Sequence, residues 1–430
     1  MPRIMTMLLL SLLSLTAGAR EKIVTIGDSL TEEYEFEVPF SGPAPTASNP
    51  TPSANTKNWV ETLANKRADD VKFGDYDSGY FHYYDLRNSG YEFNFGVPGH
   101  TAADWVKILS NDPGTVINSY TKENLQTLVR DTASVVVIFI GGNDLDNDYG
   151  AISGNPSPPA SLAAIRDNIA NIHDRVRAMK AGVPIIICTV PDVGASEAVA
   201  QTLTPAEKAT GRARTAALNA EIISMAAAKG ATIARIDRIT DRVYDQIPFH
   251  LNGTEFFFPP DAQNEKHHLF CRDGFHPGAA LQALIANEIL SAINQARSTS
   301  IPLLSNREIL SSVLSFNPDQ PYLTWAGSSG AMTADPDGDG LPNLAEYLVG
   351  TQPGKADSPF TFGIAGEMKF TPQESALRFA SLDIQESTTL AMDGWSMVPI
   401  TRITTGGGQW TVAPSGQPHT FYRLSVEAKP

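Results

Sequence analysis

The residue types with the clearest chemistry in this chain stand in short turns, in order along the sequence. These turns are Gly27-Asp28-Ser29-Leu30, the turn at Gly99, Gly141-Gly142-Asn143-Asp144 and Asp273-Gly274-Phe275-His276. Acyl transfer needs a nucleophile, a base, a group that orients the base, and N–H donors for the oxyanion. Together the turns contain a residue for each of these roles.

In this interpretation Ser29 attacks the carbonyl carbon, His276 takes its proton, and Asp273 holds the imidazole tautomer. The backbone N–H groups of Ser29 and Gly99, with the side-chain amide of Asn143, bind the oxyanion. Each turn alone also fits ordinary structure, because Gly-Asp-Ser is common turn composition and the proline after His276 could simply start a helix. Their order, each beside a predicted strand or helix, favours catalysis.

Alternating strands and helices are predicted to position these turns. Strands are predicted at 23–26, 91–95, 133–140, 183–190 and 231–236, and helices at 59–66, from 102, at 161–179, 205–229 and 277–296. The continuous apolar run Ala133–Ile140 is typical of a strand buried on both faces of a parallel sheet. The pattern predicts an α/β domain that ends near residue 300, with its site at the carboxyl ends of the strands.

With these motifs, the sequence resembles the SGNH/GDSL hydrolase family over residues 22–297. In the family's second motif, a glycine follows an asparagine by five residues, so Asn94 selects Gly99 over Gly96. The resemblance implies a flavodoxin-like three-layer sandwich with a central parallel sheet. It also implies an esterase, lipase, thioesterase or sugar acetyl-esterase. The polar, proline-rich insertion 32–57 departs from the family and predicts a surface loop over the catalytic face.

Other histidines have weaker signals. His100 could line the pocket, whereas His267 and His268 are predicted to lie in a polar loop. No His, Cys and carboxylate spacing is typical of a catalytic zinc site, so we expect catalysis to need no metal.

A second motif lies beyond the α/β pattern, in a predicted linker at 301–357. The segment Asp335–Glu346 matches the D-x-D-x-D-G-x₅-E calcium loop at every ligand position. Its predicted ligands are the carboxylates of Asp335, Asp337, Asp339 and Glu346 and the backbone carbonyl of Leu341. An acidic turn in a linker is the alternative, but we expect a structural Ca²⁺ ion, as in similar linkers of exported bacterial proteins.

Residues 358–430 contain short β-like runs, including 360–362, 377–379, 410–412 and 421–426. They predict a small C-terminal all-β domain, interpreted as a sandwich. Such a module is a candidate for binding a surface or a polysaccharide.

Composition limits the partners and the compartment. The chain has 430 residues and a formal net charge of −15, which speaks against nucleic acid or an anionic membrane as partner. Residues 1–19 have the parts of a secretory signal: Arg3, an apolar core and Ala17-Gly18-Ala19. No later stretch is apolar enough to predict a transmembrane segment. We expect an exported protein, and the pairing of Cys188 with Cys271 stays open.

The predicted function is therefore a secreted serine ester hydrolase, with acetyl esters of carbohydrates among its candidate substrates. One alternative is a lipase or phospholipase of the same fold, which a broad apolar pocket would favour. The other is a non-catalytic carbohydrate-binding or adhesion protein on an inactivated hydrolase fold. The intact Ser29, Asn143, Asp273 and His276 speak against the second alternative.

Overall fold

The computed structural model describes residues 20–36, 38–50, 52–79, 83–87, 89–328, 330–417 and 419–430. The predicted secretory signal at 1–19 lies outside these described residues. Within them, no helix has the length and apolar character needed to cross a bilayer.

The strands of the first part of the chain are β1 (Glu21–Gly27), β2 (Val71–Lys72), β3 (Tyr76–Asp77), β4 (Gly90–Tyr91), β5 (Asn94–Gly96), β6 (Val135–Phe139), β7 (Ile185–Cys188), β8 (Thr232–Ala234), β9 (Phe249–Leu251) and β10 (Thr254–Phe256). Its helices are α1 (Val38–Ser41), α2 (Trp59–Lys66), α3 (Ala102–Ile108), α4 (Val116–Asp131), α5 (Gly142–Asn147), α6 (Tyr149–Gly154), α7 (Ser161–Met179), α8 (Glu197–Ala200), α9 (Pro205–Ala228), α10 (Asp237–Asp245), α11 (Ala279–Arg297) and α12 (Asn306–Glu308). A 3-10 helix at Val193–Ala195 and a π-helix at Ile309–Val313 complete this part.

A central parallel sheet has the strand order β2-β1-β6-β7-β8, and β5 also pairs with β1. The two short strands share one edge, because β2 pairs with the start of β1 and β5 with its end. The predicted central parallel sheet is confirmed. Its carboxyl edge carries the turns that follow β1, β5 and β6.

Alternate residues of β6 show why this apolar run forms a central strand. Val135, Val137 and Phe139 belong to one hydrophobic cluster, with residues of α2 and α11. Val136 and Ile138 belong to a second cluster, with residues of α3, α4 and α7. Since successive side chains of a strand point to opposite faces, β6 is covered by helices on both sides.

The insertion after Ser29 is more tightly packed than its composition predicts. Tyr34 is fully buried and Phe40 is 7% exposed, and the two rings contact Cys271 in a small cluster. The Asn58 side chain donates to the backbone carbonyls of Leu30, Thr31 and Glu32. The segment is therefore part of the folded domain rather than a loose surface loop.

The predicted linker also begins with a packed stretch. Ile301, Leu304, Ile309, Leu310 and Leu314 are buried in the same cluster as α2 and α11. The guanidinium of Arg67, which follows α2, forms a paired salt bridge with Glu308, with N–O distances of 2.7 and 2.8 Å. The core of the α/β domain thus extends to about residue 314.

The last part of the chain contains α13 (Gln320–Ala326), α14 (Asn343–Val349), β11 (Thr361–Phe362), β12 (Met368–Phe370), α15 (Glu374–Phe379), β13 (Ala380–Ser387), β14 (Ser396–Met397), β15 (Ile403–Gly406), β16 (Gln409–Val412) and β17 (Phe421–Ala428). A further 3-10 helix lies at Ile400–Arg402. The strands form two antiparallel sheets, β11-β12-β16-β15 and β14-β13-β17.

These C-terminal sheets share a core with the helices, which includes Leu348 of α14, Phe379 of α15 and Ile384 of β13. The strand predicted at 377–379 is wrong, because these residues end α15. Ala376 and Phe379 are both buried, and a spacing of three places them on one helix face. The strand itself begins at Ala380.

Candidate active site

The turn after β1 holds Ser29 at the carboxyl edge of the sheet. Gly27 has no room for a side chain, because a Cβ there would lie 2.3 Å from the Thr31 Oγ1 atom. The Leu30 amide donates to the Asp28 carboxylate at 2.9 Å, and the Thr31 amide donates to the Asp28 carbonyl at 3.0 Å. Short polar side chains often close turns in this way. The turn fixes Ser29, whose residue surface is only 7% exposed.

The structure brings His276 and Asp273 to Ser29 as the motifs predict. Nε2 of His276 lies 2.8 Å from the Ser29 Oγ atom, and Nδ1 lies 2.5 Å from Asp273 Oδ2. The other Asp273 oxygen accepts the backbone N–H groups of Phe275 and His276 at 3.0 and 3.1 Å. The carboxylate is thus fixed by its own turn, and it selects the tautomer that leaves Nε2 free to accept a proton.

Aromatic side chains from the insertion cover His276. The Phe40 ring stacks on the imidazole with a centroid distance of 3.8 Å and an interplanar angle of 13°. Tyr34 meets the same imidazole edge-on at 6.2 Å, and its hydroxyl accepts a hydrogen bond from Gln282 of α11 at 2.7 Å. The insertion therefore forms a wall of the site. The sequence motifs did not reveal either aromatic residue.

Asn143 contacts the turn that contains Gly99. The Asn143 amide donates to the His100 carbonyl at 2.9 Å, which ties the turn after β6 to the turn after β5. The amide has a second N–H group for another acceptor. Gly99 has a φ of +75°, a conformation that glycine adopts without steric cost. Asp144 adds a contact that the motifs did not reveal, since its carboxylate accepts the Ala102 amide at the start of α3 at 2.7 Å.

Burial changes the acid–base behaviour of groups around the site. Burial raises the pKa of Asp28 to about 7, although its hydrogen bond from Leu30 acts in the opposite direction. Burial also raises the pKa of Asp144 and of Asp146. The pKa of His100 is lowered, again mainly by burial. Burial therefore shifts Asp28 towards its uncharged form.

The remaining histidines and cysteines of the sequence analysis lie in structural settings. His267 stacks on Phe316 at a centroid distance of 4.0 Å, and His268 bonds to the Pro259 carbonyl. Cys188 and Cys271 are both buried free thiols. The two cysteines therefore do not form a disulfide in this structure.

The predicted calcium loop brings its aspartates together. Oxygen atoms of Asp335, Asp337 and Asp339 lie within 4.8 Å of one another. Glu346 of α14 is fully buried, and its Oε2 atom has no hydrogen-bond partner among the described residues. Burial, followed by the charges of the aspartates, raises the pKa of Glu346 to about 7. Glu346 is not part of the group of three aspartates whose oxygen atoms all lie within 4.8 Å of one another.

The chain was compared with known proteins. The GDSL-like Lipase/Acylhydrolase family matches residues 23–289. The search of curated proteins found no match.

Three solved structures illustrate the similarity. An α/β hydrolase enzyme from the metagenome of Lake Arreo, Spain, is 15% identical with a TM-score of 0.36, over 64% of this chain and 96% of that one. A family 3 carbohydrate esterase of Clostridium thermocellum is 17% identical with a TM-score of 0.35, over 65% and 98%. An acetylxylan esterase of Geobacillus stearothermophilus is 15% identical with a TM-score of 0.35, over 64% and 95%.

Proposed function

Because this chain belongs to the GDSL-like lipase/acylhydrolase family and is a hydrolase of ester bonds, we propose that it cleaves carboxylic esters with Ser29 as nucleophile. The observation that carries the proposal is the continuous contact from Ser29 Oγ through the His276 imidazole to Asp273. A non-catalytic binding protein has no need of this arrangement.

The geometry supports a two-step reaction. His276 takes the Ser29 proton at Nε2 while Oγ attacks the carbonyl carbon, and Asp273 stabilises the imidazolium that forms. The backbone N–H groups of Ser29 and Gly99 and the Asn143 amide stabilise the oxyanion. His276 then protonates the leaving alcohol. Water, activated by the same imidazole, releases the acid from the acyl-enzyme.

The decisive experiment replaces the nucleophile. Ser29→Ala should lower kcat for a 4-nitrophenyl ester by several orders of magnitude, because no other group in the proposed mechanism attacks the carbonyl. Ser157→Ala changes an exposed serine outside the site and is the matched control. Circular dichroism should show both variants folded. Wild-type turnover by a folded Ser29→Ala variant would refute the assignment.

Acetyl esters of carbohydrates remain candidate substrates, and a lipase or phospholipase activity is the alternative. We also propose that residues 1–19 are a secretory signal removed during export. Amino-terminal sequencing of the protein recovered from the culture medium should then begin at Arg20. Detection of residues 1–19 on the exported protein would contradict the proposal.

For the C-terminal part, we propose that the loop Asp335–Glu346 holds a structural Ca²⁺ ion. The buried Glu346 Oε2 and the buried Asp337 Oδ2 both lack a hydrogen-bond partner among the described residues. A buried carboxylate without donors is costly, and oxygen-rich sites of this kind fit Ca²⁺. The Leu341 carbonyl would add a backbone oxygen, and the Asp335 and Asp339 carboxylates would complete the set.

The proposed ion would stabilise the C-terminal core rather than a flexible hinge. Its ligand Glu346 stands in α14, whose Leu344 and Leu348 are buried in that core. Binding to the folded loop alone shifts unfolding by mass action. Calorimetry on chelator-treated full-length protein should therefore show one Ca²⁺ bound per chain and a higher melting temperature. An unchanged melting temperature and no binding heat would refute the site.

A further inference from the structure

One face of the His276 imidazole is covered by a ring that lies outside the four sequence motifs. The Phe40 ring is nearly parallel to the imidazole, with a centroid distance of 3.8 Å and an interplanar angle of 13°. Tyr34 meets the imidazole at 84°, and the His276 side chain is only 13% exposed. The insertion after Ser29 therefore encloses the imidazole that Asp273 binds.

The hydrogen bonds of the imidazole leave the rotation of its plane weakly fixed. Asp273 contacts Nδ1 and the Ser29 hydroxyl contacts Nε2, and both nitrogens lie in the plane of the ring. The χ2 angle of a histidine has only a broad preference, and an sp² oxygen accepts hydrogen bonds over a wide range of directions. The Asp273 side chain is also 27% exposed, so water can compete for its oxygens. A further contact on the plane would keep Nε2 on the serine.

The Phe40 ring provides such a contact. Rotation of the imidazole about χ2 would push one of its edges into the phenyl ring, because carbon atoms repel one another at separations below about 3.5 Å. The face of a phenyl ring also carries negative electrostatic potential. It therefore attracts the positive charge that His276 gains when it takes the serine proton. Both effects act on the reaction rather than on the binding of substrate.

Phe40 is held in place by contacts on the next residue of α1. The Ser41 hydroxyl donates to the Tyr34 carbonyl at 2.5 Å, and the Ser41 carbonyl accepts the side-chain amide of Asn264. The Asn264 amide also donates to Asn55 Oδ1 at 3.0 Å, and Asn264 itself is only 3% exposed. These bonds tie α1 to a distant part of the chain.

A second tie leads from Tyr34 to the helix that follows His276. The Tyr34 hydroxyl accepts the Gln282 side-chain amide at 2.7 Å, and the Gln282 side-chain oxygen accepts the Trp59 backbone amide at 3.1 Å. Gln282 is fully buried in the first turn of α11. The insertion is thus fixed to the segment that carries the proposed base. The bonds that place Phe40 do not include the imidazole.

We propose that Phe40 is a positioning residue for the proposed base. Its ring holds the plane of the His276 imidazole, so that Nε2 stays on the Ser29 hydroxyl. This role rests on the proposed ester hydrolysis at Ser29 and adds a requirement to it. Alignment matters greatly for catalysis, since a displacement of about 1 Å can cost roughly 10²-fold in rate. The effect of losing the ring should fall on kcat, with KM nearly unchanged.

The first test replaces the ring with an apolar side chain that is not planar. Phe40→Leu should lower kcat for a 4-nitrophenyl ester by about tenfold or more, with KM changed less than about twofold. Phe40→Tyr keeps the ring and should keep kcat within about threefold of the wild type. Phe36→Leu is the matched control, because Phe36 belongs to the same insertion but stacks on Tyr76 instead of on His276.

Thermal melts separate the loss of positioning from a loss of stability. Kinetics measured well below the melting temperature of each variant report the folded enzyme, and Phe40→Met replaces Phe40→Leu if the leucine variant does not fold. Wild-type kcat in the folded variant would overturn the proposal. A rise in KM alone would also overturn it, because Phe40 would then contact the substrate. An equal loss of kcat in Phe40→Tyr would show that the ring is not what positions His276.

A double-mutant cycle provides the second test. Tyr34→Phe removes only the hydroxyl that binds Gln282, and its ring stays against the imidazole. This variant should lower kcat by about threefold, because one hydrogen bond of the tie is lost. In a Phe40→Leu background it should cause no further loss, since the tie acts through Phe40. Additive losses would overturn the proposal.

The same measurements distinguish this proposal from the proposed function. If the wild type cleaves no ester, or if a folded Ser29→Ala variant keeps wild-type turnover, the proposed function itself fails. If Ser29→Ala is inactive while Phe40→Leu keeps the wild-type kcat, only the positioning role of Phe40 is refuted.

Discussion

The proposed catalytic turn, Asp273–His276, and the acidic loop, Asp335–Glu346, both contain carboxylates, but these carboxylates have different partners. At the catalytic turn, Asp273 has a partner for each oxygen: two backbone N–H groups on one and the His276 imidazole on the other. In the acidic loop, Asp337 and Glu346 each keep a buried oxygen without a partner among the described residues. The carboxylate of Asp273 is satisfied within the chain, whereas the oxygens of Asp337 and Glu346 are the ones that we propose bind Ca²⁺.

A third arrangement lies between these two. Glu33 in the insertion is 2% exposed, and burial raises its pKa to about 7. One of its oxygens accepts the Tyr91 amide at 2.8 Å. Buried carboxyl groups in this protein are therefore accompanied by hydrogen-bond donors, by a proposed cation or by a raised pKa. These carboxyl groups are all buried or partly buried, but they differ in their partners. The partner of a carboxyl group therefore indicates the role of that group better than the extent of its burial does.

The strongest test of this comparison removes the charge at the catalytic turn. Asp273→Asn should lower kcat by on the order of 10³–10⁴, because the amide favours the wrong imidazole tautomer. Steady-state kinetics on a 4-nitrophenyl ester measures the loss. Asp112→Asn, at an exposed carboxylate outside the site, is the control. A loss of less than tenfold would mean that Asp273 does not orient the base.

The oxyanion side predicts a smaller effect. Asn143→Ala should lower kcat by ~10²–10³, which is the usual loss for one oxyanion donor. KM should change little if the amide binds the transition state more tightly than the substrate. An equal loss caused only by a higher KM would assign Asn143 to substrate binding instead.

At the acidic loop, neutralisation should have the opposite consequence. Glu346→Gln removes one of the crowded negative charges, so the melting temperature without calcium should rise or stay constant. The increase caused by calcium should be largely lost, since the variant lacks a proposed ligand. Thermal melts with calcium and with a chelator measure both effects. Asp383→Asn, at an exposed strand position of the same domain, serves as control. A full calcium response in Glu346→Gln would exclude this ligand.

The raised pKa of Glu33 predicts a dependence of stability on pH. The folded-state pKa of Glu33 lies above its ordinary value of 4.5, so the folded state binds more protons between that pH and about 7. Stability should therefore fall as the pH rises through this range. Glu33→Gln should reduce this loss of unfolding free energy by up to about 3 kcal/mol. Urea unfolding at pH 5 and pH 8 tests it. An equal pH dependence in variant and wild type would contradict it.

Much of the site could be predicted because its residues stand in short turns at predictable places. A run such as Val135–Phe139 can hardly be other than a central strand, and parallel strands bring their carboxyl ends to one edge. Ser29 and Asn143 follow two such strands. Asp273 and His276 share one turn, so their contact requires only local structure.

The insertion could not be predicted in this way, because its packing depends on distant residues. Phe40 and Tyr34 stand in a polar, proline-rich segment, and their burial depends on Cys271 and Gln282. The same limit applies to the stretch after residue 300, where Leu304 and Leu310 fill a space left by α2 and α11. The composition of a segment depends only on its own residues, whereas its burial depends on the space that the rest of the chain leaves for it.

The distance along the chain between the proposed nucleophile and the proposed base has a consequence for synthesis. Ser29 and His276 touch across 247 positions of sequence. Because the chain is synthesised from its amino terminus, Ser29 is made long before His276. Phe40, which stacks on the imidazole of His276, is also made early, and it cannot form this contact until His276 has been synthesised. Under the proposed mechanism, a partly synthesised chain has the nucleophile without its base, so it cannot cleave esters before His276 has been added.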